Sequence, residues 1–237
     1  MSDAASPITR EIKEYLLKQG ASLVGLADLT ILPEDKRFFM PRGISVALAM
    51  TPSIVKGIGL LPTKDYYNEY FRLNSRLDAL VEAGADFLVK RGYKAIPQTV
   101  KFVEQYETAY SSVLPHKTVA TRAGMGWIGK CALLVTEAFG SAQRISSVLT
   151  DAPLDCDSPV TQSRCGGCLA CTKACPGNAV KGVNWELGLE REAYYDPVKC
   201  RETARARARQ AYGIDITHCG KCIEVCPITR KYVHSFK

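Results

Sequence analysis

Seven of the ten cysteines in this 237-residue sequence fall into two short segments near its C-terminal end. The first segment has the spacing C-x2-C-x2-C-x3-C-P, formed by Cys165, Cys168, Cys171 and Cys175. The second has the spacing C-x2-C-x3-C-P, formed by Cys219, Cys222 and Cys226. In this pattern three closely spaced thiolates hold one iron–sulfur cube, and the cysteine before proline holds the other. The spacing therefore predicts two 4Fe-4S clusters.

The ligands of the two clusters can be assigned from the same spacing. A second segment identical to the first would need a cysteine at position 216, where the sequence has Ile216, and Cys200 is the only spare thiol nearby. We predict that one cluster is held by Cys165, Cys168, Cys171 and Cys226. The other is predicted to be held by Cys175, Cys200, Cys219 and Cys222. The two remaining cysteines, Cys131 and Cys156, are expected to be inert.

Two other uses of cysteine fit the pattern less well. Structural zinc usually takes its four thiolates from two separated C-x2-C pairs, not from three cysteines within seven residues. Disulfide frameworks are typical of short secreted domains, and this sequence is neither short nor dense in cysteine.

Composition and charge limit the class of protein. No run of apolar residues approaches the length of a membrane span, and residues 1–20 carry acidic groups in a helical pattern instead of a signal peptide. Because thiols committed to clusters need a reducing compartment, we expect a cytoplasmic protein. Two clusters of about −2 each would lower the formal charge of +7 to about +3. The arginine-rich run 201–209 is predicted to be a solvated helix face, or else a docking site for an acidic electron donor or nucleic acid.

Hydrophobic patterning predicts the elements that must position these residues. Helices are predicted near 7–20, 63–91 and 115–123. Strands are predicted at 22–27, 44–50, 93–97, 131–136 and 144–150. This mixture indicates an α/β or α+β sandwich, and the boundary predicted near Asp151–Pro153 separates residues 1–153 from residues 154–237.

A glycine-rich loop, Gly124-Met-Gly-Trp-Ile-Gly-Lys130, is the second informative stretch. It nearly matches the phosphate-binding P-loop, but Cys131 replaces the hydroxyl residue and the preceding pattern is helical. One interpretation is a backbone that lies close to a flat or anionic ligand, with Lys130 available to a phosphate or carboxamide. The other is a tight turn in which Trp127 fills the core, and the residues alone leave both open.

Three stretches together resemble the epoxyqueuosine reductase family, which is related to the reductive dehalogenases. They are residues 114–130, residues 147–153, and the cysteine array with its Asp196-Pro-Val-Lys-Cys200, and the resemblance covers roughly residues 60–230. It implies an α+β protein in which a nitroreductase-like cofactor-binding domain (1–153) precedes a small bacterial ferredoxin-like domain (154–237). Electrons from a low-potential ferredoxin or flavodoxin would pass through both clusters to a base-off cobalamin, whose reactivity the protein would direct.

The resemblance also implies which residues hold the organic cofactor. They are His116, Lys117, Arg122, Gly124, Gly126, Trp127, Ile128, Gly129 and Lys130. His116 could instead bond the backbone at the start of its helix. Tyr66 and Tyr70 share one helix face, where they either pack or line the cofactor cleft. FMN is the alternative cofactor, since nitroreductase-like folds commonly hold it. A protein that only transfers electrons to a partner's corrinoid is the non-enzymatic alternative.

Two departures from the family affect the substrate and the proton donor. Epoxyqueuosine reductases continue into a C-terminal helical-repeat domain that grips tRNA, whereas this sequence stops at Lys237, so a small or nucleoside-like substrate is expected and tRNA is not. Their catalytic aspartate lies about fourteen residues before the first loop glycine, where this sequence has Tyr110. Because related dehalogenases use a tyrosine as proton donor, Tyr110 is predicted to be the catalytic acid. Its alternative is a core tyrosine, and Glu107 or water would then donate.

Overall fold

The computed structural model describes residues 6–106 and 110–235. The chain forms two compact units, each assembled from three stretches. The first unit comprises Met1–Leu48, Asn74–Met125 and Arg144–Val160. The second comprises Ala49–Leu73, Gly126–Gln143 and Thr161–Lys237.

The helices and strands follow in chain order. The helices are α1 (Pro7–Lys18), α2 (Pro52–Lys56), α3 (Lys64–Val89), α4 (Val100–Glu104), α5 (His116–Arg122), α6 (Ala170–Ala174), α7 (Arg191–Tyr194), α8 (Pro197–Tyr212), α9 (Lys221–Glu224) and α10 (Pro227–His234). The strands are β1 (Leu23–Asp28), β2 (Arg42–Ala49), β3 (Ala95–Pro97), β4 (Trp127–Ile128), β5 (Leu134–Val135) and β6 (Gln143–Thr150).

A four-stranded sheet in the order β1-β2-β6-β3 organises the first unit. Strand β2 is buried over six consecutive residues, which explains why these six are apolar at nearly every position, with Ser45 as the one polar residue, instead of alternating. Helix α5 packs on this sheet through Val119 and Ala123, which share a core cluster with Ala27 and Leu149. The same packing fixes His116 and Arg122 at the two ends of α5.

Short helices and one small sheet form the second unit. Strands β4 and β5 pair antiparallel, with Trp127 opposite Val135. Helix α8 begins where the Asp196 carboxylate accepts a hydrogen bond from the Lys199 backbone N–H at 3.0 Å, and it ends at Gly213, whose φ is +71°. On α10, the Tyr232 hydroxyl donates to the Met50 carbonyl at 2.8 Å.

Most of the predicted elements are confirmed, namely α1, α3, α5, β1, β2, β3 and β6. The strand predicted at 131–136 is wrong, since only Leu134–Val135 is extended. Its first half is a turn instead, in which the Ala132 N–H donates to the Gly129 carbonyl at 2.8 Å and Ala132 has a φ of +61°. An apolar pattern does not distinguish a buried turn from a buried strand.

The mixture of helices and sheet confirms the predicted fold class at this level. The two compact units do not coincide with residues 1–153 and 154–237, because residues 49–73 and 126–143 group with the cysteine-rich segment. The domain assignment itself stays a prediction. Within the parts of the chain that the structure describes, the longest helices are too polar to serve as membrane spans.

Candidate functional site

All eight cysteines predicted to be cluster ligands lie in the second unit. Helix α6 carries Cys171, α8 carries Cys200 and α9 carries Cys222, while Cys226 immediately precedes α10. Among residues 6–106 and 110–235, no group of three Cys, His, Asp or Glu side chains could hold a single metal ion. In a 4Fe-4S cube each thiolate binds a different iron, so the four sulfur ligands lie farther apart than the ligands of a single metal ion.

Cys200 lies beside two thiols that were assigned to the same cluster. Burial raises the pKa of the Cys200 thiol, a hydrogen bond with Tyr195 lowers it, and the charges of Cys175 and Cys219 raise it further. Cys200 therefore lies close to two of the three other predicted ligands of its cluster. This proximity supports the choice of Cys200, and the ligand assignment stays a prediction.

Cys131 occupies a position that sequence reasoning missed. It is 6% exposed and lies beside Cys171 and Cys222, which are assigned to different clusters. Nothing in the local spacing could have indicated this, because Cys131 precedes the cysteine array by more than thirty positions. The Cys156 thiol donates a hydrogen bond to the Leu154 carbonyl, two residues away, at 3.5 Å.

The second half of the glycine-rich loop contacts the first cysteine segment. The Trp127 indole N–H donates to the Cys165 sulfur at 3.4 Å, and Trp127 is only 2% exposed. The Lys130 ammonium donates to the Gly166 carbonyl at 2.9 Å and is itself buried. These two residues, predicted to hold an organic cofactor, are thus placed beside the predicted ligand Cys165.

The three loop glycines each have a packing role. A Cβ on Gly126 would lie 2.1 Å from the Val135 carbonyl oxygen, and one on Gly129 would lie 2.8 Å from the Val135 side chain. A Cβ on Gly124, whose φ is +66°, would lie 2.6 Å from the Ser158 carbonyl oxygen. Protein atoms therefore occupy the Cβ side of all three glycines, and packing alone requires glycine at these positions. Contact between these glycines and a cofactor stays a prediction. Ile128 packs in a core cluster with Ala132 and Tyr194, and its contact with a cofactor also stays a prediction.

His116 takes part in a buried polar chain in the first unit. Its Nδ1 lies 2.7 Å from the Ser147 hydroxyl, which donates to the Gln98 side-chain oxygen at 2.8 Å. Because the one hydroxyl hydrogen is used on Gln98, Nδ1 must be the donor to Ser147. Burial, and secondarily the charge of Arg144, lowers the pKa of His116 to about 4, so the ring is neutral at pH 7. His116 thus bonds the side-chain hydroxyl of Ser147, whereas the alternative from the sequence was a bond to the backbone at the start of its helix.

The other predicted site residues of the first unit lie in more open positions. Burial lowers the pKa of Arg122, and the nearby Asp28 carboxylate opposes this shift. Lys117 is half-buried. Tyr110 is 41% exposed, so the core alternative for this tyrosine is not supported, and Glu107 lies outside the described residues. Roles in catalysis or cofactor binding stay predictions for Tyr110, Lys117 and Arg122.

An aromatic cluster surrounds His218, the residue before Cys219. Tyr66 stacks on the imidazole at 4.0 Å between ring centroids, and Tyr70 meets it edge-on at 5.1 Å. The Tyr212 hydroxyl lies 2.7 Å from Nδ1 of His218. Tyr66 and Tyr70 therefore pack against His218 within the second unit. The only signal for His218 in the sequence was its position beside the predicted ligand Cys219.

The arginine-rich run on α8 is used in local pairs. Arg205 bonds Asp215 at 2.8 Å and Arg209 bonds it at 2.6 Å. Arg207 donates to the Leu60 carbonyl. These bonds are local to the second unit, and the two interpretations of the run, a solvated helix face and a docking site, both stay predictions.

Comparison with known proteins first defines the class of the cysteine-rich segment. Residues 164–229 match the family model described as a 4Fe-4S double cluster binding domain. All eight predicted ligands fall within this stretch. The prediction of two 4Fe-4S clusters is thereby confirmed.

The resemblance to epoxyqueuosine reductases is confirmed as well. The chain is 33% identical over 121 residues to the epoxyqueuosine reductase of Aliivibrio fischeri. The matched stretch covers 51% of this chain and 32% of that protein. The chain thus spans about a third of the length of the curated relatives it matches.

Two solved structures show the fold. A reductive dehalogenase discussed in terms of B12-dependent dehalogenation has a TM-score of 0.73 at 18% identity, covering 100% of this chain and 35% of its own. An epoxyqueuosine reductase bound to a tRNA-Tyr stem loop has a TM-score of 0.59 at 20% identity, covering 93% of this chain and 65% of its own. Because one such relative is solved with a tRNA stem loop, the expectation that tRNA is not a partner is not supported.

Proposed function

We propose that this protein is an iron–sulfur reductase in which electrons pass through two 4Fe-4S clusters to a base-off cobalamin that reduces a small or nucleoside-like substrate. The observation that carries the proposal is a double cluster segment within a chain that shares the fold of reductive dehalogenases and epoxyqueuosine reductase. A nucleoside carried in tRNA is one candidate substrate, because a relative is solved with a modified tRNA stem loop.

Each part of the chain has a role in this proposal. Residues 154–237 act as a ferredoxin-like domain that accepts electrons from a low-potential ferredoxin or flavodoxin. Residues 1–153 act as a nitroreductase-like domain, in which Lys117 and Arg122 contribute cations to an organic cofactor. A cobalamin, when bound, supplies a strongly reducing cobalt centre. Tyr110, which is 41% exposed, donates the proton that a reduced substrate requires.

One observation favours a second function, that of an electron-transfer protein without its own organic cofactor. The space beside Gly124, Gly126 and Gly129 is filled by protein atoms. Trp127 and Lys130 likewise bond the cysteine-rich segment. Such a loop would serve the clusters alone, and the protein would pass electrons to a corrinoid held by a partner.

An anaerobic binding titration separates these functions. The purified protein, with both clusters in place, is titrated in parallel with cobalamin and with FMN while its absorbance is recorded. The proposal predicts saturable binding of about one cobalamin per chain, with the band shift of a corrinoid that has lost its lower base. Saturable binding of FMN instead would establish the flavin alternative, and binding of neither would establish the electron-transfer protein.

A further inference from the structure

The glycine-rich loop is joined to the first cysteine segment by two polar contacts whose donor side chains are buried. One is the indole N–H of Trp127, which donates to the Cys165 sulfur at 3.4 Å. The other is the ammonium group of Lys130, which donates at 2.9 Å to the carbonyl of Gly166, the residue after Cys165. Trp127 is 2% exposed and Lys130 is 3% exposed, so both donor side chains are shielded from bulk water.

The local backbone holds both donors in place. Strand β4 carries Trp127 and pairs with β5, where Val135 lies opposite. On either side of Trp127, Gly126 and Gly129 approach Val135 so closely that neither has room for a side chain. The Gly166 carbonyl also accepts from the Asn184 side chain at 3.2 Å, which anchors the acceptor side of the contact.

A cluster gains one negative charge when it is reduced. A hydrogen bond to a ligand sulfur and a nearby positive charge both stabilise the reduced form more than the oxidised form, so both raise the reduction potential. The effect is larger for buried groups, because a low local dielectric weakens their interactions less than water does.

We propose that Trp127 and Lys130 are positioning residues that raise the reduction potential of the cluster held by Cys165. The loop thereby tunes one cluster of the pair, whatever organic cofactor the protein binds. This inference rests only on the two-cluster part of the proposed function, and it holds equally for an enzyme and for an electron-transfer protein.

The chain offers a matched control on the other cluster. The Tyr195 side chain lies beside the thiol of Cys200, which is assigned to the second cluster. Loss of the Tyr195 hydroxyl should therefore act on the cluster that Trp127 does not touch. Tyr195→Phe and Trp127→Phe each remove one donor and keep an aromatic ring.

The test is a redox titration of the anaerobic holoprotein, followed by electron paramagnetic resonance and without added cobalamin or flavin. The wild-type curve is fitted with two one-electron components. Trp127→Phe and Lys130→Met should each lower the same component by about tenfold in its reduction equilibrium constant, or about 59 mV, and leave the other in place. Lys130→Arg should stay closer to the wild type, because it keeps the charge, and Tyr195→Phe should lower the other component.

Two results would overturn the proposal. One is that Lys130→Met and Trp127→Phe leave both components at their wild-type potentials. The other is that they move both components equally, which would indicate a general change in the fold. Should Trp127→Phe lose iron during purification, Lys130→Met decides the question, because it keeps the indole donor and removes only the charge. A failure of cobalamin binding leaves these potentials unaffected, so the two proposals fail separately.

Discussion

Replacement of Gly126 by alanine tests whether the loop glycine is needed for packing. The added Cβ would lie 2.1 Å from the Val135 carbonyl oxygen and 2.9 Å from its carbonyl carbon, and real Cβ contacts are essentially never shorter than 3.0 Å. The obstacle is backbone, and β5 cannot retreat without breaking its pairing with β4. Overpacking of this kind costs about 1–3 kcal/mol, and we expect the upper end because no flexible side chain can move aside. The smaller entropy of the unfolded alanine chain offsets about 0.4–1 kcal/mol.

The expected net loss is therefore about 2 kcal/mol, which for a chain of this size lowers the melting temperature by roughly 4–8 °C. The assay is thermal unfolding of the anaerobic holoprotein, followed by far-ultraviolet circular dichroism at one heating rate. Gly59→Ala is the matched control, since Gly59 belongs to the same unit and a Cβ there meets nothing within 4 Å. The control should melt within about 2 °C of the wild type.

A Gly126→Ala protein that melts with the wild type would refute the packing argument. The loop would then be free to open, and a ligand would become the better reason for glycine at this position. Equal losses in both variants would point to a general intolerance of alanine in loops.

Three further predictions concern the ligands, the buried histidine and the proton donor. Cys200→Ala should lower the iron content of anaerobically reconstituted protein from about eight to about four atoms per chain; an unchanged count would mean that another thiol or water is the ligand. Because the pKa of His116 is lowered from 6.5 to about 4, the unfolded chain binds a proton between these values that the folded chain does not. Stability should therefore fall as the pH drops below about 6.5, and His116→Gln should flatten this dependence in melting curves recorded between about pH 7.5 and 5.5. A parallel slope in both proteins would show that other groups cause it. Tyr110→Phe should leave cluster and cofactor spectra unchanged and abolish reduction of a true substrate, whereas full turnover would assign proton donation to Glu107 or water.

The cysteine array could be predicted from the sequence because an iron–sulfur cube constrains ligands that are close together in the chain. Strand β2 could be predicted for a similar reason, since five of its six buried residues are glycine or apolar and follow one another closely in the chain. Contacts between distant residues could not be predicted in this way. The bond from Trp127 to Cys165 joins positions 38 apart, and the pattern around it suits a ligand loop and a packed turn equally.

The turn at residues 129–132 shows the same limit on a smaller scale. Ala132 adopts a left-handed conformation that is rare for a residue with a Cβ, and nothing in the apolar segment around it marks the position. Gly126 is needed because the carbonyl of Val135, nine positions further along the chain, approaches it closely. That carbonyl belongs to β5, which is much shorter than the strand predicted from the sequence. A glycine that makes room for backbone and one that makes room for a ligand are alike in sequence.

The proposed function requires two iron–sulfur clusters and one cobalamin in the same chain. The most direct test is metal analysis of anaerobic protein that has been incubated with excess cobalamin and then desalted. We expect about eight irons and about one cobalt per chain in the same sample. Eight irons with no cobalt would contradict it and leave a protein that carries electrons to a cofactor held elsewhere.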